Sequence, residues 1–121
     1  MKDRVLLLTM LFATFAVWSL VNLRTWGEVT PRRIEVSARR YSFEPAEITL
    51  KMGQPVVLVV NSADVAHGIR FRDLNVEVSV RAHNTGEVQF TPQRTGDFVG
   101  HCSVFCGSGH GSMTLKLHVV N

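Results

Sequence analysis

The chain has 121 residues, of which 45% are hydrophobic and 19% are charged, and its formal net charge is +3. This length allows at most one ordinary domain, which excludes a Rossmann pair, a TIM barrel or a two-domain enzyme. An apolar fraction near the globular average and a small net charge also argue against intrinsic disorder.

The N-terminal segment has the composition of a membrane anchor. No charged residue occurs from Val5 to Leu23, and a helix over this range rises about 28 Å, close to the ~30 Å hydrocarbon thickness of a bilayer. A cleavable signal peptide is the competing interpretation, but the run is longer than a usual h-region and no small-x-small cleavage site follows it. We therefore predict an uncleaved transmembrane helix in residues 1–26, embedded in the lipid bilayer.

The next segment, residues 27–33, combines Gly, Pro and charged residues without apolar periodicity, which predicts a linker. A basic group lies in and after it and consists of Arg32, Arg33, Arg39 and Arg40. We expect this group to contact lipid headgroups rather than a specific partner. Residues 24–121 are near neutral as a whole, so nucleic-acid binding has no electrostatic support.

Residues 34–121 carry the two-residue period of β-strands and no sustained helical period. The apolar residues that mark the strands lie at 34–38, 56–60, 76–80, 88–90, 98 and 115–119. Turn residues such as Gly53, Gly86 and Gly96 separate them. Short strands with this spacing predict an all-β antiparallel sandwich or barrel.

The loop between the last two predicted strands holds both cysteines of the chain. Its donors follow the pattern C-x3-C-x3-H-x2-M and are Cys102, Cys106, His110 and Met113. Thiolate, thioether and imidazole together favour copper over hard, oxygen-seeking cations. The sequence therefore predicts a metal site in this loop, with copper favoured over zinc.

Other interpretations of the two cysteines stay open at this point. Two cysteines in an exported domain most often form a disulfide, but a bridge closing so short a loop gains little chain entropy and leaves the His and Met unexplained. A structural zinc site lacks the paired short knuckles that such sites have. A redox dithiol would prefer C-x-x-C beside a helix, and this chain has no such motif.

A second imidazole is needed, and His67 is the best candidate by position. It follows the apolar strand 56–60, so its loop can meet residues 102–113 at one end of a sandwich. His101 adjoins Cys102, and adjacent strand residues point to opposite faces, so we expect it to face away. The remaining candidates are expected at the surface and are His83, in a turn, and His118, on the polar face of the last strand.

These motifs resemble the copper A (CuA) domain of cytochrome c oxidase subunit II. The resemblance rests on S-x-D-V-x-H-G at 62–68 and C-S-V-F-C-G-x-x-H-x-x-M at 102–113, and it covers most of residues 36–121. The single predicted anchor and N-V-E-V at 75–78 are most similar to the short subunit II of B-type (ba3-like) haem–copper oxidases. The resemblance implies a cupredoxin-like Greek-key β-sandwich over residues 34–121 that binds dinuclear copper.

The resemblance also implies a ligand set, by position. In chain order the implied ligands are His67, Cys102, the main-chain carbonyl of Val104, Cys106, His110 and Met113. The two cysteines would bridge both copper ions and each histidine would bind one of them. Met113 and the Val104 carbonyl would be the weak axial ligands. The family commonly has a carboxylate at the position of Val104, and a carbonyl ligand does not depend on that side chain.

The implied function is electron input to a respiratory oxidase, an oxidoreductase complex in which this chain is not catalytic alone. The chain would accept electrons from a c-type cytochrome or a small copper protein and pass them to haem in subunit I. The copper domain would lie on the extracytoplasmic side of the cell membrane. The alternative is a free-standing, membrane-anchored CuA protein that acts as an electron shuttle or copper carrier.

Overall fold

The computed structural model describes residues 27–121, and the anchor predicted for residues 1–26 lies outside this range. The elements are β1 (Arg32–Arg39), β2 (Ser42–Glu44), β3 (Glu47–Lys51), β4 (Val56–Ser62), β5 (His67–Phe71), the 3-10 helix η1 (Arg72–Leu74), β6 (Val76–Val80), β7 (Thr85–Phe90), β8 (Gly96–His101), the 3-10 helix η2 (His110–Ser112) and β9 (Thr114–Val120). No helix among these residues is long and apolar enough to cross a bilayer.

The strands form two sheets that enclose one core. The first sheet has the order β2-β1-β4-β7 and the second the order β3-β9-β8-β5-β6. The all-β prediction is confirmed. The expectation of an antiparallel sandwich is wrong for two pairs, because β1 pairs with β4 and β3 pairs with β9 in parallel. A parallel pair needs a crossover connection. Between β1 and β4 the chain crosses to the second sheet, where it forms β3, and then returns to the first sheet.

The alternation read from the sequence matches the burial of the strands. In β1 the buried residues are Ile34, Val36 and Ala38, and in β9 they are Leu115, Leu117 and Val119. β4 lies between β1 and β7 and buries four of its five valine and leucine positions from 56 to 60. Burying one such side chain contributes about 1.5–3 kcal/mol to the free energy of unfolding, so these strands give the site a stable support.

The boundary between linker and domain lies slightly earlier than the apolar pattern suggests. Strand β1 begins at Arg32, so residues 32 and 33 belong to the first sheet. Arg32 donates to the carbonyl of Thr49 at 3.0 Å, and Arg33 forms an ion pair with Glu87. Both guanidinium groups, expected at lipid headgroups, thus have partners within the domain.

Candidate metal centre

Both cysteines and His67 meet inside one end of the sandwich. The Sγ atoms of Cys102 and Cys106 are 3.8 Å apart, and Nδ1 of His67 lies 4.0 Å from Sγ of Cys102. All three side chains are buried, and their donor atoms lie within 4.8 Å of one another. Both thiols are free, so the structure gives no support to a disulfide here.

The other three predicted ligands lie around the same pair of sulfur atoms. Nδ1 of His110 and Sδ of Met113 are each 3.8 Å from Sγ of Cys106. The thiol of Cys102 donates to the carbonyl oxygen of Val104 at 3.2 Å. The structure therefore brings all six residues of the predicted ligand set into one cluster.

Main-chain hydrogen bonds hold the cysteine loop against the sheet. β8 and β9 pair as far as His101 opposite Thr114, and the Cys102 N–H then donates to the Met113 carbonyl at 3.0 Å. The Ser103 N–H donates to the Gly68 carbonyl at 3.2 Å. The first bond closes the loop at its two ends, and the second fixes it to β5, the strand that begins with His67, so the two ligand segments have a defined separation.

The short helix η2 sets the spacing of the last two donors. The His110 N–H donates to the Gly107 carbonyl at 3.2 Å and the Met113 N–H to the His110 carbonyl at 3.3 Å. In a 3-10 turn the side chains at i and i+3 lie on the same side. His110 and Met113 have this spacing, so both side chains reach the sulfur of Cys106.

Tyr41, in the turn between β1 and β2, packs on the glycines of the loop. A Cβ atom at Gly109 would lie 2.5 Å from the Tyr41 ring, and one at Gly107 would lie 2.4 Å from its hydroxyl oxygen. Gly107 also has a φ of +138°, which L side chains rarely adopt. Glycine at these positions therefore lets the loop lie flat on the aromatic ring and bring His110 inward.

Asp64 orients the imidazole of His67. Nε2–H of His67 donates to Oδ1 of Asp64 at 2.7 Å, which leaves Nδ1 directed at the sulfur of Cys102. A partner of this kind fixes the ring and tautomer of a metal-binding histidine. Burial alone would raise the pKa of Asp64, but hydrogen bonds from Arg40, His67 and Val65 outweigh it and lower the pKa to about 2.

The environment of the Cys106 thiol favours its protonated form in the absence of metal. Burial, followed by the hydrogen bond with Cys102, raises the pKa of the Cys106 thiol to about 11. Near neutral pH the metal-free Cys106 is therefore protonated. A thiophilic metal ion has to displace protons when it binds, so metal loading releases protons to solvent.

The donor set fits copper. Two sulfur atoms 3.8 Å apart are closer than twice a typical metal–thiolate bond of about 2.3 Å, so one ion can contact both. Thioether sulfur selects copper(I) but is not among the usual zinc ligands. The position of Met113 beside Cys106 thus favours copper over a structural zinc site.

The other histidines lie away from this cluster. His83 and His101 are exposed, as expected for a turn residue and for the opposite strand face. His118 lies on the outer face of β9, where Nδ1 pairs with Asp97 at 2.6 Å and Nε2 with Glu47 at 3.1 Å. These hydrogen bonds, first the one with Asp97, raise the pKa of His118.

Sequence reasoning missed the residues that support the ligands. Arg40 was expected at lipid headgroups, but its Nε donates to the Cys106 carbonyl at 2.8 Å. Its contact joins positions 66 residues apart, for which a single sequence gives no signal. Asp64 lies three residues before His67. A carboxylate so close in sequence to a predicted ligand is the one local signal that could have indicated a residue that orients the imidazole.

The chain matches a known protein family. The family described as "Cupredoxin-like domain" matches residues 7–115. Cytochrome c oxidase subunit 2 of Thermus thermophilus is 30% identical over 80 residues, which cover 66% of this chain and 59% of that protein. The chain thus spans about three fifths of the length of this curated relative.

Two solved structures are similar in fold. The periplasmic domain of subunit II of cytochrome oxidase from Bradyrhizobium japonicum has a TM-score of 0.67 at 19% identity, over 76% of this chain and 87% of that one. A chain from a heme-copper terminal oxidase dimer has a TM-score of 0.66 at 23% identity, over 99% of this chain and all of that one. At such identities the likeness concerns the fold alone.

Proposed function

The chain belongs to the cupredoxin-like family, and from this premise we propose that it is the electron-input subunit II of a respiratory haem–copper terminal oxidase. The observation that carries the proposal is the pair of buried, unbridged thiols 3.8 Å apart. A single blue-copper site uses one cysteine with two histidines and a weak methionine. The second cysteine therefore favours a dinuclear CuA centre.

The residues have separate roles in this centre. Cys102 and Cys106 would hold both ions, and His67 and His110 would each hold one. The thioether of Met113 and the carbonyl of Val104 would complete the set as weak ligands. When bound, the dinuclear copper supplies one-electron transfer with the charge shared between two ions.

The scaffold's contribution is to keep the ligands still. Every rearrangement of ligands between the oxidised and reduced states adds to the barrier of electron transfer. His67, Cys102 and Cys106 are buried, and main-chain hydrogen bonds hold their segments to strand ends. Side chains fixed by a rigid element and a second layer of hydrogen bonds keep their geometry. Burial also excludes water, which would reorganise around the changing charge.

The proposed electron path runs from outside the membrane to a separate subunit. The donor is a c-type cytochrome or a small copper protein, and the acceptor is haem in subunit I. The copper domain lies on the extracytoplasmic side, tethered by the predicted anchor in residues 1–26. Support for this path comes from the relatives, whose names specify cytochrome oxidase subunits and, in one case, a periplasmic domain.

Purification of the tagged full chain from its native membranes tests the proposal. We expect haem, copper and a large multi-helix protein to purify with it, and the complex to oxidise a reduced c-type cytochrome or small copper protein. Cys106→Ser should lower electron entry at least about 100-fold, whereas Thr114→Ala, directly after the loop and with an exposed side chain, should leave it unchanged. A copper-loaded chain that purifies without haem would support the free-standing alternative and contradict the oxidase proposal.

A further inference from the structure

Arg40 contacts both segments that carry the predicted copper ligands. It lies directly after β1, in the turn that leads to β2. Its main-chain N–H donates to Oδ2 of Asp64 at 2.9 Å, and its side-chain Nε donates to the carbonyl oxygen of Cys106 at 2.8 Å. One residue thus joins two segments that are 24 and 66 positions away in the chain.

Through Asp64, the main chain of Arg40 is connected to the predicted ligand His67. The other carboxylate oxygen of Asp64 accepts from Nε2–H of His67 at 2.7 Å. The main chain of Arg40 therefore holds the carboxylate that holds the imidazole. His67 is fully buried, so this chain of hydrogen bonds takes the place of solvent at its Nε2 atom.

The contact with Cys106 brings a permanent positive charge to the other ligand segment. A guanidinium stays protonated at any physiological pH. Its bond to the Cys106 carbonyl restrains the peptide that carries a bridging thiolate. A positive charge near a redox centre opposes the more positive, oxidised state, and it therefore favours the reduced state.

We propose that Arg40 is a positioning residue of the copper centre, which fixes the Cys106 segment through its side chain and raises the reduction potential of the bound copper. The inference rests on the proposed copper centre but makes a separate claim about one side chain. A guanidinium that served only the turn between β1 and β2, or lipid headgroups, would leave the potential unaffected. The potential therefore tests the electrostatic part of the proposal, and the protection of the Cys106 segment from hydrogen exchange tests the positioning part.

Arg39 offers a matched control, because it carries the same charge one position earlier. It is exposed, at the end of β1, and among residues 27–121 its side chain has no hydrogen bond to either ligand segment. Arg40→Gln and Arg39→Gln therefore remove equal charge, and only the first removes the bond to Cys106. Arg40→Lys keeps the charge but loses the planar N–H donor.

The experiment is a redox titration of the copper-loaded full chain in detergent. At a fixed ambient potential, Arg40→Gln should lower the ratio of reduced to oxidised centre about threefold, a modest change since the guanidinium is solvent-exposed. Arg39→Gln should give less than half of that change, and Arg40→Lys should restore most of the ratio. Equal changes in the two Gln variants, or no change in either, would overturn the proposal.

A second readout does not require copper. Amide hydrogen exchange at residues 102–107 of the metal-free full chain should be several-fold faster in Arg40→Gln than in Arg39→Gln. Equal exchange in the two variants would overturn the positioning role. If the wild-type chain binds no copper, the proposed function fails, and the exchange measurement still decides whether Arg40 holds the Cys106 segment.

Discussion

The two imidazoles of the candidate centre are held in different ways. His67 is fully buried at the start of β5, and the carboxylate of Asp64 holds its outer nitrogen at 2.7 Å. His110 is half-buried in a turn of the loop, with its ring 5.6 Å from Phe105, whose side chain is 78% exposed. Nδ1 of each ring nevertheless lies about the same distance from a cysteine sulfur, 4.0 Å and 3.8 Å.

The difference shows that one side of the site is held rigidly in the core, whereas the other side is accessible from the surface. The His67 side of the site is part of the folded core, and its geometry depends on the sheets. The His110 side depends on how the glycine-rich loop packs on Tyr41, and it carries the exposed rim of the centre. A redox partner that approaches this end meets His110 and Phe105 before the buried ligands.

Replacing each imidazole in turn should give the largest difference in the free energy of unfolding. His67→Ala empties a buried position and leaves Asp64 without its partner, so we expect a loss of about 3 kcal/mol in the free energy of unfolding. His110→Ala removes a half-buried ring from a loop and should cost less than about 1 kcal/mol. Denaturant unfolding of the metal-free full chains in detergent, followed by circular dichroism, measures both. Equal losses would mean that His67 is not part of the core.

A smaller effect is expected from the glycines under Tyr41. Gly109→Ala places a Cβ 2.5 Å from the aromatic ring, so the ring or the loop must move, at a cost of about 1–3 kcal/mol. Gly111→Ala is the matched control, because a Cβ there meets nothing within 4 Å. We expect Gly109→Ala alone to weaken copper retention, since the displaced loop carries His110. Similar copper release rates in the two variants would contradict this role of Tyr41.

The smallest effect concerns His118, an imidazole outside the centre. Hydrogen bonds to Asp97 and then Glu47 raise its pKa in the folded protein. The stabilisation is therefore fully present below the unfolded pKa of about 6.5, and it is lost as the pH rises through the raised folded value. Unfolding free energies of wild type and His118→Gln should differ at pH 5.5, and the difference should shrink as the pH rises through the raised pKa of His118. If the difference in unfolding free energy instead grew with pH, the pKa of His118 would be lowered by folding, and the stabilising role of its hydrogen bonds would be refuted.

The sequence predicted the features that depend on neighbours in the chain. Cys102, Cys106, His110 and Met113 are donors within one loop, so their spacing alone indicates a metal site. β1 and β9, in which burial alternates, were predicted for the same reason, but β3 shows the same alternation and was missed. β5 was not predicted, because four of its five residues are buried and no alternation is visible. β2 has only three residues, too few for a period to appear.

Apart from the approach of His67 to the cysteine loop, contacts between distant positions were not predicted. The parallel pairing of β1 with β4 was missed because alternation reports which side chains are buried but not which strand is the partner. Arg40 and Tyr41 support the cysteine loop across more than 60 positions of chain. Their role is a property of the folded turn between β1 and β2, and nothing in the local sequence distinguishes them from ordinary surface residues.

The central claim is that two thiolates hold two copper ions. The most direct test loads the reduced full chain with copper, counts copper per chain and records the electron paramagnetic resonance spectrum. The account predicts two copper ions per wild-type chain with one unpaired electron shared equally between them, and loss of that spectrum in Cys106→Ser. A single copper ion per chain, or an unpaired electron localised on one ion in the wild type, would contradict it.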